Sequence, residues 1–158
     1  MADTVDPAVW DGIDIKSTNV GGRKKDNSSL SFNGVQYVTE GEVLLARLLT
    51  AMRVPFTPNV KIVLKPSKSA KTKQAVIYVP DFIFNKKAFV WRNENGTEEM
   101  VHGIEAKGLH PRQKTAKGRE KVRLLREQRG INVKMLSTDE IRAFSRAGGL
   151  PMTPLNKK

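Results

Sequence analysis

Apolar residues first recur at helical spacing at Leu44, Leu45, Leu48, Leu49 and Met52, directly after Thr39-Glu40-Gly41-Glu42. That tetrapeptide fits a capping box, with Thr39 as N-cap and Glu42 three residues on. The pattern predicts a helix that ends ahead of Pro55 and Pro58 and gives way to an extended run over residues 59–65. Residues 74–85 then have a near-continuous apolar middle, the pattern of a strand buried on both faces. Residues 88–91 and 100–107 read as two arms of a hairpin around Asn93-Glu94-Asn95-Gly96. A helix over 115–129 closes at Gly130, and a short strand over 131–136 follows. Ser137-Thr138-Asp139-Glu140 offers a second cap, opening a last helix that runs to about residue 146.

Ahead of the first helix, residues 30–38 alternate weakly around Asn33-Gly34, the pattern of a short hairpin. Residues 1–30 carry little periodicity and many turn formers. The expected organisation is an N-terminal arm or extended segment over 1–38, a core over 39–147 and a flexible tail over 148–158. The order helix, three or four strands, helix, strand, helix predicts an α/β domain. Its central mixed sheet would have four to five strands flanked by helices.

Length supports this count, since 158 residues suffice for one hydrophobic core and not for two. Charge adds a partner class. Lys and Arg outnumber Asp and Glu by 28 to 16, giving a net charge of +12, and such an excess favours a polyanion such as nucleic acid. The chain has no cysteine, which excludes disulfides, zinc–thiolate centres and thiol catalysis. Met1-Ala2-Asp3-Thr4-Val5-Asp6 lacks the basic start and apolar core of a signal peptide, and no apolar stretch approaches a membrane span. An intracellular, cytoplasmic protein is expected, bacterial or phage-encoded and acting in the host cytoplasm. There is no Walker loop, dinucleotide fingerprint, histidine-rich metal motif or serine nucleophile elbow.

Two strand-like segments carry the chemistry. Alternation puts Gly103, Glu105 and Lys107 on one face, with Glu105 and Lys107 about 7 Å apart along the strand. Asp81 stands in Tyr78-Val79-Pro80-Asp81-Phe82 and shares its face with Ile77, Val79 and Ile83. An acid in such apolar company is costly unless a cation or a partner compensates it. Magnesium takes oxygen ligands and keeps several waters, so two carboxylates plus phosphate oxygens suit it. The bland alternatives are a salt-bridged Glu105–Lys107 pair and an Asp81 that merely follows Pro80 in a turn. Gly103 beside the pair leaves room for a ligand or for a close backbone.

Pro80-Asp81, then Glu105-Ala106-Lys107, with Phe82 and Gly108 following each, resemble the PD-(D/E)XK nuclease superfamily. The resemblance covers roughly residues 39–142 and includes the order of elements. It implies a restriction-endonuclease-like core and a metal-dependent DNA endonuclease using Mg²⁺, with Mn²⁺ as a substitute. Asp81 and Glu105 would ligate the metal, with the backbone carbonyl of Ala106 a third ligand, and Lys107 would be the catalytic lysine. The superfamily places a further acid on its first core helix, where Glu40 and Glu42 compete. Glu42 fits better, and its competing role is the capping box itself. Glu105-Ala106-Lys107-Gly108-Leu109 and Leu124-Leu125-Arg126-Glu127-Gln128 are locally similar to phage Holliday-junction resolvases of the endonuclease I type. The gap from Asp81 to Glu105 is long for this family, and the N-terminal arm has no obvious counterpart. Substrates implied are a branched junction or a specific site of the homing or restriction type. Cutting twice then implies a homodimer or a higher symmetric assembly.

Arg119, Arg123 and Arg126, with Lys114 ahead of them, fall near one face of the helix that follows. They are candidate phosphate contacts, as are Lys68, Lys71 and Lys73 in the basic loop over 65–73. The alternative is a solvated helix face, and for the whole chain a non-catalytic basic nucleic-acid-binding protein. Trp10, Trp91, His102 and His110 are better explained by packing or surface positions than by base contacts.

Overall fold

A computed structural model describes residues 10, 13, 15–16, 31–66, 73–85, 87–106 and 116–155, except the side chains of 116–118. Helix formation follows the local signals. Thr39 caps α1 (Glu40–Ala51), its side-chain oxygen accepting the Glu42 N–H at 3.3 Å. Leu45, Ala46, Leu48 and Leu49 bury the apolar stripe. α2 (Ala116–Arg129) ends at Gly130, whose φ of 72° and N–H bond to the Arg126 carbonyl stop the helix. α3 (Thr138–Ala147) opens with a complete capping box between Ser137 and Glu140 and closes at Gly148.

The strands are shorter and more numerous than the apolar runs suggest. β1 (Ser31–Phe32) and β2 (Val35–Gln36) form the expected hairpin, with Asn33 and Gly34 both at positive φ. β3 (Phe56–Pro58), β6 (Phe82–Phe84), β9 (Gly103–Ala106) and β10 (Val133–Leu136) make the central sheet, in the order β10-β9-β6-β3. β3, β6 and β9 run antiparallel to their neighbours, while β10 returns parallel to β9 after the α2 crossover. The fold is therefore α/β around a mixed four-stranded sheet.

β4 (Ile62–Leu64) and β5 (Val76–Tyr78) form a separate antiparallel ribbon. β7 (Phe89–Arg92), β8 (Glu98–Val101) and β11 (Met152–Pro154) form a third sheet. Two expectations are corrected here. Residues 74–85 are not one strand: β5 belongs to the ribbon and β6 to the central sheet, with a bend between them. Burial on both faces holds for β6, but Ile77 is 49% exposed and Val79 38% exposed. Residues 100–107 likewise divide at His102, so β8 completes the hairpin with β7 while β9 joins the central sheet. Within the stretch read as a flexible tail, residues 152–154 pair with β7.

Strand alternation splits the core between the two faces of the sheet. Phe82, Phe84, Ile104 and Leu136 pack with α1 and with Ile141 of α3. Ile83, Val133 and Met135 pack with Leu125 of α2 and with Tyr78, Ile62 and Leu64 of the ribbon. Trp10, from the segment read as an arm, is buried in this second cluster edge-on to His102, at 5.7 Å between ring centroids. Gln128 of α2 closes the ribbon, its amide both accepting from and donating to the Lys65 backbone at 2.9 and 2.8 Å. No helix among the described residues is long and apolar enough to cross a membrane.

Candidate functional site

The sheet brings two of the sequence-predicted acids together. β6 and β9 pair with Phe82 opposite Ile104 and Ile83 opposite Gly103. The next step of that register sets Asp81 opposite Glu105. In a regular antiparallel ladder such partners hold their Cβ atoms about 4.5–5.5 Å apart, and like charges so placed repel. The close approach at Gly103 is to backbone: a Cβ there would strike the Phe82 carbonyl oxygen and stand 3.0 Å from Ile83 Cδ1.

The ladder stops at Asp81. Pro80 has no N–H, and the chain bends as it passes from the ribbon into β6. The Asp81 side chain takes over from its backbone, Oδ2 accepting the Ala106 N–H at 2.9 Å. The Asp81 carbonyl accepts the Asn59 N–H at 2.9 Å, so the residue is held at both ends. Glu105 is only 6% exposed. Its Oε1 accepts a hydrogen bond of 2.5 Å from the Tyr78 hydroxyl. Burial raises the Tyr78 phenol well above its ordinary pKa, and the nearby charges of Glu105 and Asp81 and the hydrogen bond to Glu105 push the same way. The phenol therefore stays protonated and serves as a donor. Tyr78 is the member of this group that sequence reasoning missed. A tyrosine buried in an apolar run needs a partner for its hydroxyl, and that was the available signal.

The first turn of α1 packs against the same end of β9. A Cβ on Gly41 would stand 3.6 Å from Ala106 Cβ and 2.8 Å from Thr138 Oγ1, so only glycine lets the helix approach this closely. Of the two competing acids on that turn, Glu42 turns back along its own chain, Oε1 accepting the Val38 N–H at 3.0 Å. Glu40 pairs with Arg142 of α3 at 2.5 Å. Among the described residues no three histidine or acidic side chains converge as a metal-holding group.

The expected basic surface is reduced. Arg119 and Arg126 on α2 and Lys73 at the edge of the ribbon are exposed. Arg123 is engaged within its own helix, bonded to Glu120 at 2.5 Å and to Glu127 at 2.7 Å, which neutralises much of its field. Lys107, Lys114, Lys68, Lys71 and His110 lie outside the described residues.

His102 is buried where β8 passes into β9, its Nδ1 accepting the Asn132 N–H at 3.0 Å. Burial lowers its pKa to about 4, so it is a neutral structural acceptor near neutral pH. A cleft of about 750 Å³ lies away from the acids, lined in part by Trp91, Lys134 and Phe144. Its lysine is already spoken for, bonding Glu99 at 2.7 Å and Asn93 at 2.8 Å. The acid pair is the better candidate on chemistry.

Comparison with family models, curated proteins and solved structures finds no match for this chain.

Proposed function

We propose that this protein is a metal-dependent DNA endonuclease that hydrolyses phosphodiester bonds with Mg²⁺, Mn²⁺ serving as a substitute. The observation that carries the reading is the facing of Asp81 and Glu105 at the end of β6 and β9. Two acids so placed repel each other, and a divalent cation is the direct compensation. The donor set is all oxygen, which suits a hard cation. The order α1, β3, β6, β9, α2, β10 agrees with the element order that the PD-(D/E)XK resemblance implies, and so supports a restriction-endonuclease-like core.

Asp81 and Glu105 would hold the cation, with the Ala106 carbonyl a third donor and Glu42 at the adjoining helix end a fourth candidate. A cation bound there supplies an activated water and neutralises charge developing on the phosphate. The chain's own part is to fix the carboxylates: the Ala106 N–H holds Asp81, and the Tyr78 hydroxyl holds Glu105. By the resemblance, Lys107 orients the attacking water or stabilises the developing negative charge. Arg119, Arg126 and Lys73 are exposed cations available to backbone phosphates, in keeping with a net charge of +12. One such site cuts one strand, so cutting a junction or a duplex twice calls for a dimer or higher assembly. The setting is the cytoplasm.

A second reading has its own observation. Both carboxylates already accept a hydrogen bond from the protein, as structural acids in a non-catalytic basic nucleic-acid-binding protein would. One experiment separates the two. A four-way junction, a linear duplex and a supercoiled plasmid are incubated with wild type and Asp81→Ala, with and without Mg²⁺. The nuclease reading expects Mg²⁺-dependent cuts that Asp81→Ala abolishes. Binding without cutting, or equal cutting by the variant, would sink it. Cleavage of a junction that survives sequence scrambling would mark a branched-DNA resolvase rather than a site-specific enzyme.

A further inference from the structure

Tyr78 reaches the acid pair from outside the central sheet. Its strand, β5, pairs only with β4, and the side chain is 3% exposed. The 2.5 Å bond from its hydroxyl to Glu105 Oε1 is as short as a charge-assisted O–H···O⁻ bond becomes. Asp81 is treated in parallel, with Oδ2 committed to the Ala106 N–H. Each acid thus has one oxygen engaged by the protein, in one case by a backbone donor and in the other by a side chain.

That arrangement bears on which cation the pair would accept. A carboxylate can ligate through one oxygen or through both. Ca²⁺, with about 6–8 ligands in a flexible shell, readily takes both, whereas Mg²⁺ keeps near-octahedral geometry and takes one. Two-oxygen ligation by Glu105 would require Oε1 to turn from the phenol towards the cation. The phenol opposes that turn, because it is buried and its proton has no better acceptor than the carboxylate it faces. We propose that Tyr78 is a positioning residue that confines Glu105 to one-oxygen ligation and so sets a preference for Mg²⁺ over Ca²⁺ at this site. The inference rests on the metal-dependent reading above and specifies how that site would choose its ion. Groups of this kind, which touch a ligand rather than the metal, commonly alter metal affinity by about 10–100-fold when removed.

The test is calorimetric titration of Mg²⁺ and of Ca²⁺ into the full chain without nucleic acid, for wild type, Tyr78→Phe and Glu105→Gln. Wild type is expected to favour Mg²⁺, and Tyr78→Phe to shift the Mg²⁺/Ca²⁺ affinity ratio about tenfold or more towards Ca²⁺. Glu105→Gln is expected to lose tight binding of both. A second readout needs no variant: Mg²⁺ should produce a tyrosine difference band in the ultraviolet spectrum of wild type, since the cation draws charge from the carboxylate that the phenol faces. If Tyr78→Phe keeps the wild-type ratio, or if wild type binds Mg²⁺ with no tyrosine band, the role of Tyr78 is overturned while the nuclease reading stands. Wild type that binds neither ion, or Glu105→Gln that binds both unchanged, overturns the tyrosine's role and removes the metal site on which the nuclease reading depends.

Discussion

Acidification should destabilise this protein through His102 by an amount that the structure allows to be worked out. The ring is 2% exposed, accepts the Asn132 N–H at Nδ1 and lies against Trp10. Burial lowers its pKa from 6.5 to about 4. Because the folded pKa lies below the unfolded one, the unfolded chain takes up the proton first as pH falls. The stabilisation is therefore complete above pH 6.5 and is lost progressively between 6.5 and 4. The slope is about 1.4 kcal/mol per pH unit, so between pH 7.5 and 4.5 the loss comes to about 2.5 kcal/mol. A domain of this size is stable by roughly 5–15 kcal/mol, so the effect is measurable. Carboxylates titrate in the same range, and the comparison must therefore be with a variant. In His102→Asn the amide oxygen can stand in for Nδ1 as acceptor, but nothing at that position titrates. Urea unfolding of both proteins at unit steps from pH 7.5 to 4.5 gives the difference directly. Wild type should lose about 2.5 kcal/mol relative to the variant over that range. A difference that does not vary with pH would refute the account, because it would mean the ring is not held neutral by burial.

Two substitutions probe the frame around the acids. Gly103→Ala places a methyl against the Phe82 carbonyl and Ile83, where backbone cannot give way easily, and should cost about 1–3 kcal/mol in denaturant unfolding. Unchanged stability would show that β6 and β9 can separate at that point. Ser137→Ala removes one half of the α3 capping box and should lower the unfolding free energy by about 1 kcal/mol with no change in denaturant slope. If the midpoint does not move, Glu140 alone holds that helix end.

What could be read from the chain was local. Thr39, Ser137 and Gly130 mark helix ends because a cap is a contact between residues three or four apart, and the Leu44–Met52 stripe needs only its own period. The same locality explains Glu42. Its carboxylate meets a donor four residues back, and such a contact forms with little loss of chain entropy, whereas a shared site with Asp81 must close a loop of about forty residues. Strand breaks were not legible, because a strand that leaves one sheet for another goes on alternating. Residues 74–85 keep their apolar rhythm across the change from ribbon to central sheet. The signal lay in Pro80, since a residue without an N–H cannot continue a central ladder. That break is also what makes the candidate site. Had the ladder run on through Asp81, the backbone would have answered the Ala106 N–H. Because it stops, the Asp81 carboxylate does so instead, and is held beside Glu105 by its own side-chain bond. Tyr78 sits at the other end of the same break, 27 residues from the acid it holds. The residues of the site were therefore visible as a short pattern, while the geometry that joins them depends on where the chain changes sheets.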